Sequence, residues 1–166
     1  MNLLNSADRP QIAVVLPAYN EELTIEATIQ AFHTELPDAS IWVIDNKSSD
    51  STQHIARDTI AAIGCRGGTI FEGRKGKGNA VRRAFRDIDA DFYVLVDADF
   101  TYPANRVHDL IAPVVANTAD LVVGDRHSGG HYGAQNKRSL HGFGNRLVRG
   151  LVNRLFDANL QDIMSG

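Results

Sequence analysis

The sequence predicts an α/β protein built on a mostly parallel sheet flanked by helices. Two observations carry that prediction. Short apolar runs of strand length alternate with segments whose apolar residues recur at helical spacing. The residues with distinctive chemistry cluster just after the apolar runs, where open parallel sheets bind ligands.

Gln11–Leu16 reads as a buried strand ending at Pro17. From Glu21 to Leu36, Ile25, Ile29, Phe32 and Leu36 recur every three or four residues and predict a helix, stopped by Pro37-Asp38. Ser40–Ile44 is the second strand, followed by a polar loop from Asp45 to Ser51. Ile55, Thr59, Ile60 and Ile63 place a second helix, closed by Gly64. Thr69-Ile70-Phe71 is a third strand and Gly73 to Gly78 a glycine-rich loop. Val81, Ala84, Phe85 and Ile88 then mark a third helix. Phe92–Val96 is a fourth strand. Val107 to Val115 is a helix that Pro113 kinks or shortens, and Leu121-Val122-Val123 is a fifth strand. Beyond Gly124, residues 128–136 carry three glycines and read as a loop, and Leu140 to Phe156 as a basic helix with Leu147, Leu151 and Leu155 on one face. Strand and helix in this alternation imply right-handed crossovers and helices on both faces of the sheet.

Length and composition narrow the class. The chain has 166 residues, enough for about one domain, with 43% hydrophobic residues and a net charge of −3. The lone Cys65 excludes an internal disulfide and a thiolate zinc cluster. No apolar run approaches the ~18–20 residues of a membrane span, and the polar start from Met1 to Pro10 is expected to be a tail rather than a signal peptide. A cytoplasmic protein is the expectation. Mild overall acidity argues against nonspecific nucleic-acid binding, yet the charge is segregated. Residues 73–86 hold six cations and no acid, as do residues 126–156, which predicts anions bound locally.

The candidate chemistry lies in four places. Asp97-Ala98-Asp99 follows the fourth strand directly. Two carboxylates one residue apart repel unless a cation or hydrogen-bond donors compensate, and a hard Mg2+ or Mn2+ ion does so while leaving positions for phosphate oxygens. Read alone, such a triplet is also an ordinary surface turn. Gly73-Arg74-Lys75-Gly76-Lys77-Gly78 opens a helix and suits an anion, although it matches neither a Walker loop nor a dinucleotide fingerprint. Asp45-Asn46 after strand two suits a base or ribose, with Ser48, Ser49 or Asp50 available as helix caps. Asn20-Glu21-Glu22 after strand one has the same two readings.

Taken in order, Pro17-Ala18-Tyr19-Asn20-Glu21, Ile44-Asp45-Asn46-Lys47-Ser48-Ser49-Asp50-Ser51-Thr52, Gly76-Lys77-Gly78-Asn79-Ala80, Asp97-Ala98-Asp99 and Tyr102-Pro103 resemble the motifs of family 2 glycosyltransferases. Those enzymes have the Rossmann-like GT-A fold. The resemblance is strongest to the polyprenyl-phosphate sugar transferases, of which dolichyl-phosphate mannose synthase is one. It implies a nucleoside-diphosphate sugar bound by Pro17, Tyr19, Glu21, Asp45, Lys77 and Asp97, and a divalent ion, Mg2+ or Mn2+, held by Asp97 and Asp99. It further implies that Arg126 of Gly124-Asp125-Arg126 handles the diphosphate, that Asp162 supplies a base where one is required, and that Lys137, Arg138 and His141 meet an acceptor phosphate. Asp99, Arg126 and Asp162 are thus the expected catalytic set. Asn46 and Lys47 depart from the commoner Asp-Gly, and Thr101 stands where many relatives have Gln.

On this resemblance, residues 1–10 are a tail, 11–127 the nucleotide-sugar-binding core and 128–166 the acceptor side. The family's last motif would then run on past Gly166. A polyprenyl-phosphate acceptor is the expected partner, because a phosphate is already a nucleophile and needs cations more than a base. The leucine face and arginines of Leu140–Phe156 suit peripheral contact with the inner face of a membrane, as they also suit packing on the sheet. Two other classes fit parts of the pattern. One is a nucleotide-sugar-binding or regulatory module without transfer. The other is a sugar nucleotidyltransferase, which would need a glycine-rich loop where Pro17-Ala18-Tyr19-Asn20 stands.

Overall fold

The computed structural model describes residues 10–124. Four strands, β1 (Ile12–Ala18), β2 (Ser40–Asp45), β3 (Gly67–Phe71) and β4 (Phe92–Leu95), alternate with α1 (Ile25–Glu35), α2 (Thr52–Ala62) and α3 (Lys77–Asp87). A 3₁₀ turn at Ala104–Arg106 then leads into α4 (Val107–Val115). The strands form one parallel sheet in the order β3-β2-β1-β4.

β1 is central because its sequence is apolar on both faces. Val14 and Leu16 pack with Ile25, Ile29 and Phe32 of α1, Ala56 and Ile60 of α2 and Val107 of α4. Ala13 and Val15 turn to the opposite face, where Ala80 and Ala84 of α3 and Ile88 beyond it cover them. Each large apolar side chain so buried contributes roughly 1.5–3 kcal/mol.

Most element boundaries move slightly from the sequence expectation, for local reasons. β1 continues through Pro17 to Ala18, whereas Pro17 was expected to end it. Val15 O accepts the N–H of Val96 and Ala18 O accepts that of Asn46, so the missing N–H of Pro17 lies on the β4 side, past the last β1–β4 pair at Val15 and Leu95. α1 begins at Ile25 rather than Glu21; the N–H groups of Asn20, Glu21 and Glu22 donate to Ser48, Thr52 and Asp50, which ties the stretch before the helix to the residues after β2. α2 ends where Gly64 predicts. The Gly64 N–H donates to Ala61 O and the Cys65 N–H to Ile60 O, the two bonds of a Schellman cap. α4 runs two residues past Pro113 before closing.

One expectation fails. Leu121-Val122-Val123 forms no strand among the described residues, and Leu121 and Val123 are 78% and 62% exposed. An apolar triplet becomes a strand only when a neighbour satisfies its backbone N–H and C=O groups. Leu140–Phe156 lies outside the described residues. No helix among the described residues is long and apolar enough to cross a membrane.

β3 starts at Gly67, two residues earlier than predicted. There φ is +121°, and an added Cβ would sit 1.9 Å from the Ile41 carbonyl oxygen. Gly64 also has a positive φ, +67°, but opens into free space. Gly67→Ala is therefore expected to lose roughly 2–4 kcal/mol in urea denaturation, and Gly64→Ala about 1 kcal/mol. Equal losses at the two sites would refute the close approach at Gly67.

Candidate active site at the carboxyl ends of the strands

The chain moves outward from β1 to β2 to β3, then returns to place β4 on the other side of β1. That reversal opens a crevice at the carboxyl ends of β1 and β4, the position where ligands bind in open α/β sheets. Residues that follow all four strands line this end.

After β4, Val96 and Ala98 turn into the core, at 8% and 2% exposure. Alternation along the chain therefore turns Asp97 and Asp99 away from it, and both are half-buried. Asp97 forms an ion pair with Lys77, the first residue of α3, and its second oxygen accepts from the Tyr102 hydroxyl at 3.5 Å. Asp99 Oδ1 accepts from the Thr101 N–H at 3.1 Å and the Thr101 hydroxyl at 2.6 Å. Thr101 thus fixes a carboxylate oxygen, a role the sequence reading did not give it. The turn passes through Phe100, exposed and at φ +59°, a left-handed conformation that is costly for a bulky residue.

After β2, Asp45 is 2% exposed and accepts the Ser48 N–H at 3.3 Å. Asn46 departs from its expected role. Its carboxamide donates to the carbonyls of Glu72 and Arg74 at 3.2 and 2.7 Å and accepts the Gly76 N–H at 2.6 Å, so its polar atoms serve the neighbouring loop rather than a base or ribose. Asn20 Oδ1 accepts the Ser49 N–H at 2.8 Å, and Glu22 accepts that of Ser51 at 3.0 Å. Those two residues cross-brace the loops after β1 and β2. Glu21 accepts from the Thr24 hydroxyl at 2.9 Å. Tyr19 is 49% exposed, with the Lys75 ammonium 5.4 Å from its ring centroid.

Two contributors left no signal in the sequence. Buried Glu72 accepts from Arg74 through the backbone N–H at 2.8 Å and the guanidinium at 3.0 and 3.2 Å. The Arg74 side chain, then its backbone N–H, hold the Glu72 carboxyl down to about 2. Buried Thr28 of α1 sends its hydroxyl toward Ala98 O at 3.2 Å and Thr24 O at 3.0 Å, tying the helix to the residue between the two aspartates. A periodicity argument sees Thr28 only as a small residue on a helix.

The oxygen chemistry of Asp97 and Asp99 fits a hard divalent ion, which takes one or two carboxylates and completes its shell with phosphate and water oxygens. Among the described residues no group of three His, Cys, Asp or Glu side chains gathers to hold a metal alone. Such an ion would therefore depend on ligand oxygens. Arg126, Lys137, Arg138, His141 and Asp162 lie outside the described residues.

Two measurements check this architecture. A carboxyl whose pKa drops on folding stabilises the fold fully above its ordinary value near 4.5, and that contribution fades as pH falls toward about 2. Glu72→Gln is accordingly expected to be less stable than wild type at neutral pH, with the gap closing between pH 4.5 and 2. A constant gap in acid denaturation would show that the pair contributes nothing. Thr28→Val keeps the branched shape but removes the hydroxyl, and is expected to cost about 1–2 kcal/mol in urea denaturation. An unchanged midpoint would remove Thr28 from the support of the aspartate turn.

Comparison with known proteins agrees with the fold. Residues 13–165 match the family described as Glycosyl transferase family 2. Protein RfbJ of Shigella flexneri is 45% identical over 120 residues, covering 72% of this chain and 88% of that protein. Glycosyltransferase AglJ of Haloferax volcanii is 32% identical over 93% of this chain, and the match spans 48% of AglJ. Among solved structures, the mannosyltransferase PcManGT of Pyrobaculum calidifontis, in complex with GDP-Man and Mn2+, superposes with a TM-score of 0.57 at 28% identity, covering 70% of this chain and 34% of that one. Glucosyl-3-phosphoglycerate synthase of Mycobacterium tuberculosis, in complex with Mn2+, UDP and phosphoglyceric acid, gives 0.52 at 30% identity over 63% of this chain and 39% of that one. With a parallel sheet reversing at β1, an Asp-x-Asp turn on β4 and a family match across nearly its whole length, the chain belongs to glycosyltransferase family 2.

Proposed function

We propose that this chain binds a nucleoside-diphosphate sugar and passes the sugar to the phosphate of a polyprenyl lipid. The observation that carries the reading is the placement of Asp97 and Asp99 at the sheet's reversal, with Lys77 against Asp97. The relatives add weight. The two glycosyltransferase structures above hold Mn2+ with GDP-Man or UDP. A dolichol-phosphate mannosyltransferase of Pyrococcus furiosus is 27% identical over 121 residues, 70% of this chain and 33% of that protein.

In this reading, Asp45 and the β1 end, Pro17, Tyr19 and Glu21, receive the nucleoside, and Lys77 faces the diphosphate. Asp97 and Asp99 would hold Mg2+ or Mn2+, which when bound supplies positive charge for the departing diphosphate. The anomeric C–O bond to the diphosphate breaks and its electron pair leaves on the diphosphate oxygen. An oxygen of the acceptor phosphate forms the new bond to the same carbon from the opposite face, inverting the centre. Lys77 and Arg126 stabilise charge where it develops. Lys137, Arg138 and His141 position the acceptor phosphate, and Asp162 serves as base only for a hydroxyl acceptor. A lipid-borne acceptor places the reaction at the cytoplasmic face of a membrane, with the basic segment Leu140–Phe156 in peripheral contact.

Calorimetry with UDP and GDP in Mn2+, repeated with a chelator, tests the donor half. One nucleotide is expected to bind, with at least tenfold weaker affinity after chelation and in Asp99→Ala. No binding of either, or binding indifferent to chelator and to Asp99→Ala, would overturn the assignment. Transfer of labelled sugar into an organic-extractable polyprenyl phosphate tests the acceptor half.

A further inference from the structure

Asn46 is 5% exposed, and its carboxamide meets three backbone groups of one loop: the carbonyls of Glu72 and Arg74 and the N–H of Gly76. Three properties separate this from ordinary loop packing. First, both donor hydrogens of the carboxamide and its oxygen are engaged. Second, the bonded groups are spread along the segment that joins β3 to α3, and the last one, Gly76, directly precedes Lys77. Third, the Glu72–Arg74 pair braces the same segment internally, and the Glu72 N–H donates to Asp45 O at 2.8 Å, which ties the start of the segment to the end of β2. Lys77 in turn reaches Asp97 across the crevice. A connection therefore runs from the end of β2 through the β3–α3 loop to the aspartate turn after β4.

We infer that Asn46 is a positioning residue of the donor site, which acts on the diphosphate through Lys77 by fixing the Glu72–Gly76 loop. The inference rests on the donor reading above. A residue with both donors and acceptor is required because the loop presents two carbonyls and one N–H to the same point. A carboxylate would accept from Gly76 but would repel the two carbonyls. Lys77 is the first residue of α3 and follows Gly76 directly, so the point at which Asn46 holds Gly76 sets where the Lys77 side chain starts.

The test uses the full chain and neutral substitutions, so that no added charge repels the ligand directly. Asn46→Ala removes all three bonds, and Asn46→Ser keeps a hydroxyl and serves if the alanine variant does not fold. Affinities for UDP or GDP, whichever binds, are measured with Mn2+ beside those for the corresponding nucleoside monophosphate. Asn46→Ala is expected to weaken the diphosphate about tenfold and the monophosphate less than twofold. Added to Lys77→Met, it should change diphosphate affinity by less than twofold, because two residues acting through one contact are not additive. Amide exchange at Gly76 in the ligand-free protein should accelerate in the variant.

Equal losses for diphosphate and monophosphate, or full additivity with Lys77→Met, would overturn the inference and leave Asn46 a purely structural residue. Unchanged Gly76 exchange would overturn the clamp itself. Failure of the wild-type chain to bind either diphosphate removes the donor reading and this inference with it, whereas normal binding with no split removes this inference alone.

Discussion

Everything described depends on the burial of β1 on both faces and along both edges. Val14, Val15 and Leu16 have no exposed surface, and β2 and β4 flank the strand. A parallel strand so placed leaves its carboxyl end as the place where polar side chains can emerge without an unmet desolvation cost. Because β2 and β4 lie on opposite sides of β1, the loops that follow them face one crevice. The core therefore decides where the chemistry sits. The loops decide what it is.

Part of the charge in the crevice is paired before any ligand arrives. Lys77 faces Asp97, Arg74 faces Glu72 and Lys75 lies over the Tyr19 ring. The Glu72–Arg74 pair is structural in character, since its carboxylate is buried and accepts from both the backbone and the guanidinium of one partner. Asp97 is more exposed than Glu72, at 25% against 4% by side chain, and a pair whose two members are open to solvent contributes little to stability. A pair that costs little to separate suits the proposed site, where a cation and a diphosphate would be accommodated. In the proposed reading the two pairs, close in sequence, divide between holding the loop and meeting the ligand.

Much of this was legible in the chain. Apolar runs at Ile12–Leu16 and Phe92–Leu95 mark strands, the first because burial on both faces leaves no polar position within it. Asp97 and Asp99 stand out because two acids directly after such a run need compensation. What was not legible is which partner each polar residue takes. Asn46 reads as a ligand contact from its neighbour Asp45, yet its atoms go to a loop 26–30 residues away. Thr28 carries no pattern at all, because its partner at Ala98 is set by packing geometry rather than spacing, and Glu72 shows its role only through its burial beside Arg74. Leu121–Val123 erred the other way, as an apolar triplet without a ladder.

The sequence by itself determined the alternation of elements, the parallel sheet and the identity of the charged groups at its carboxyl end. Periodicity and apolar content are local properties, and local properties survive in a one-dimensional string. Only the tertiary structure decided the strand order β3-β2-β1-β4, the pairing of Lys77 with Asp97 and the clamp that Asn46 places on the Glu72–Gly76 loop. Each of these joins groups far apart in the chain, and their geometry exists only once the core has fixed the strands in register.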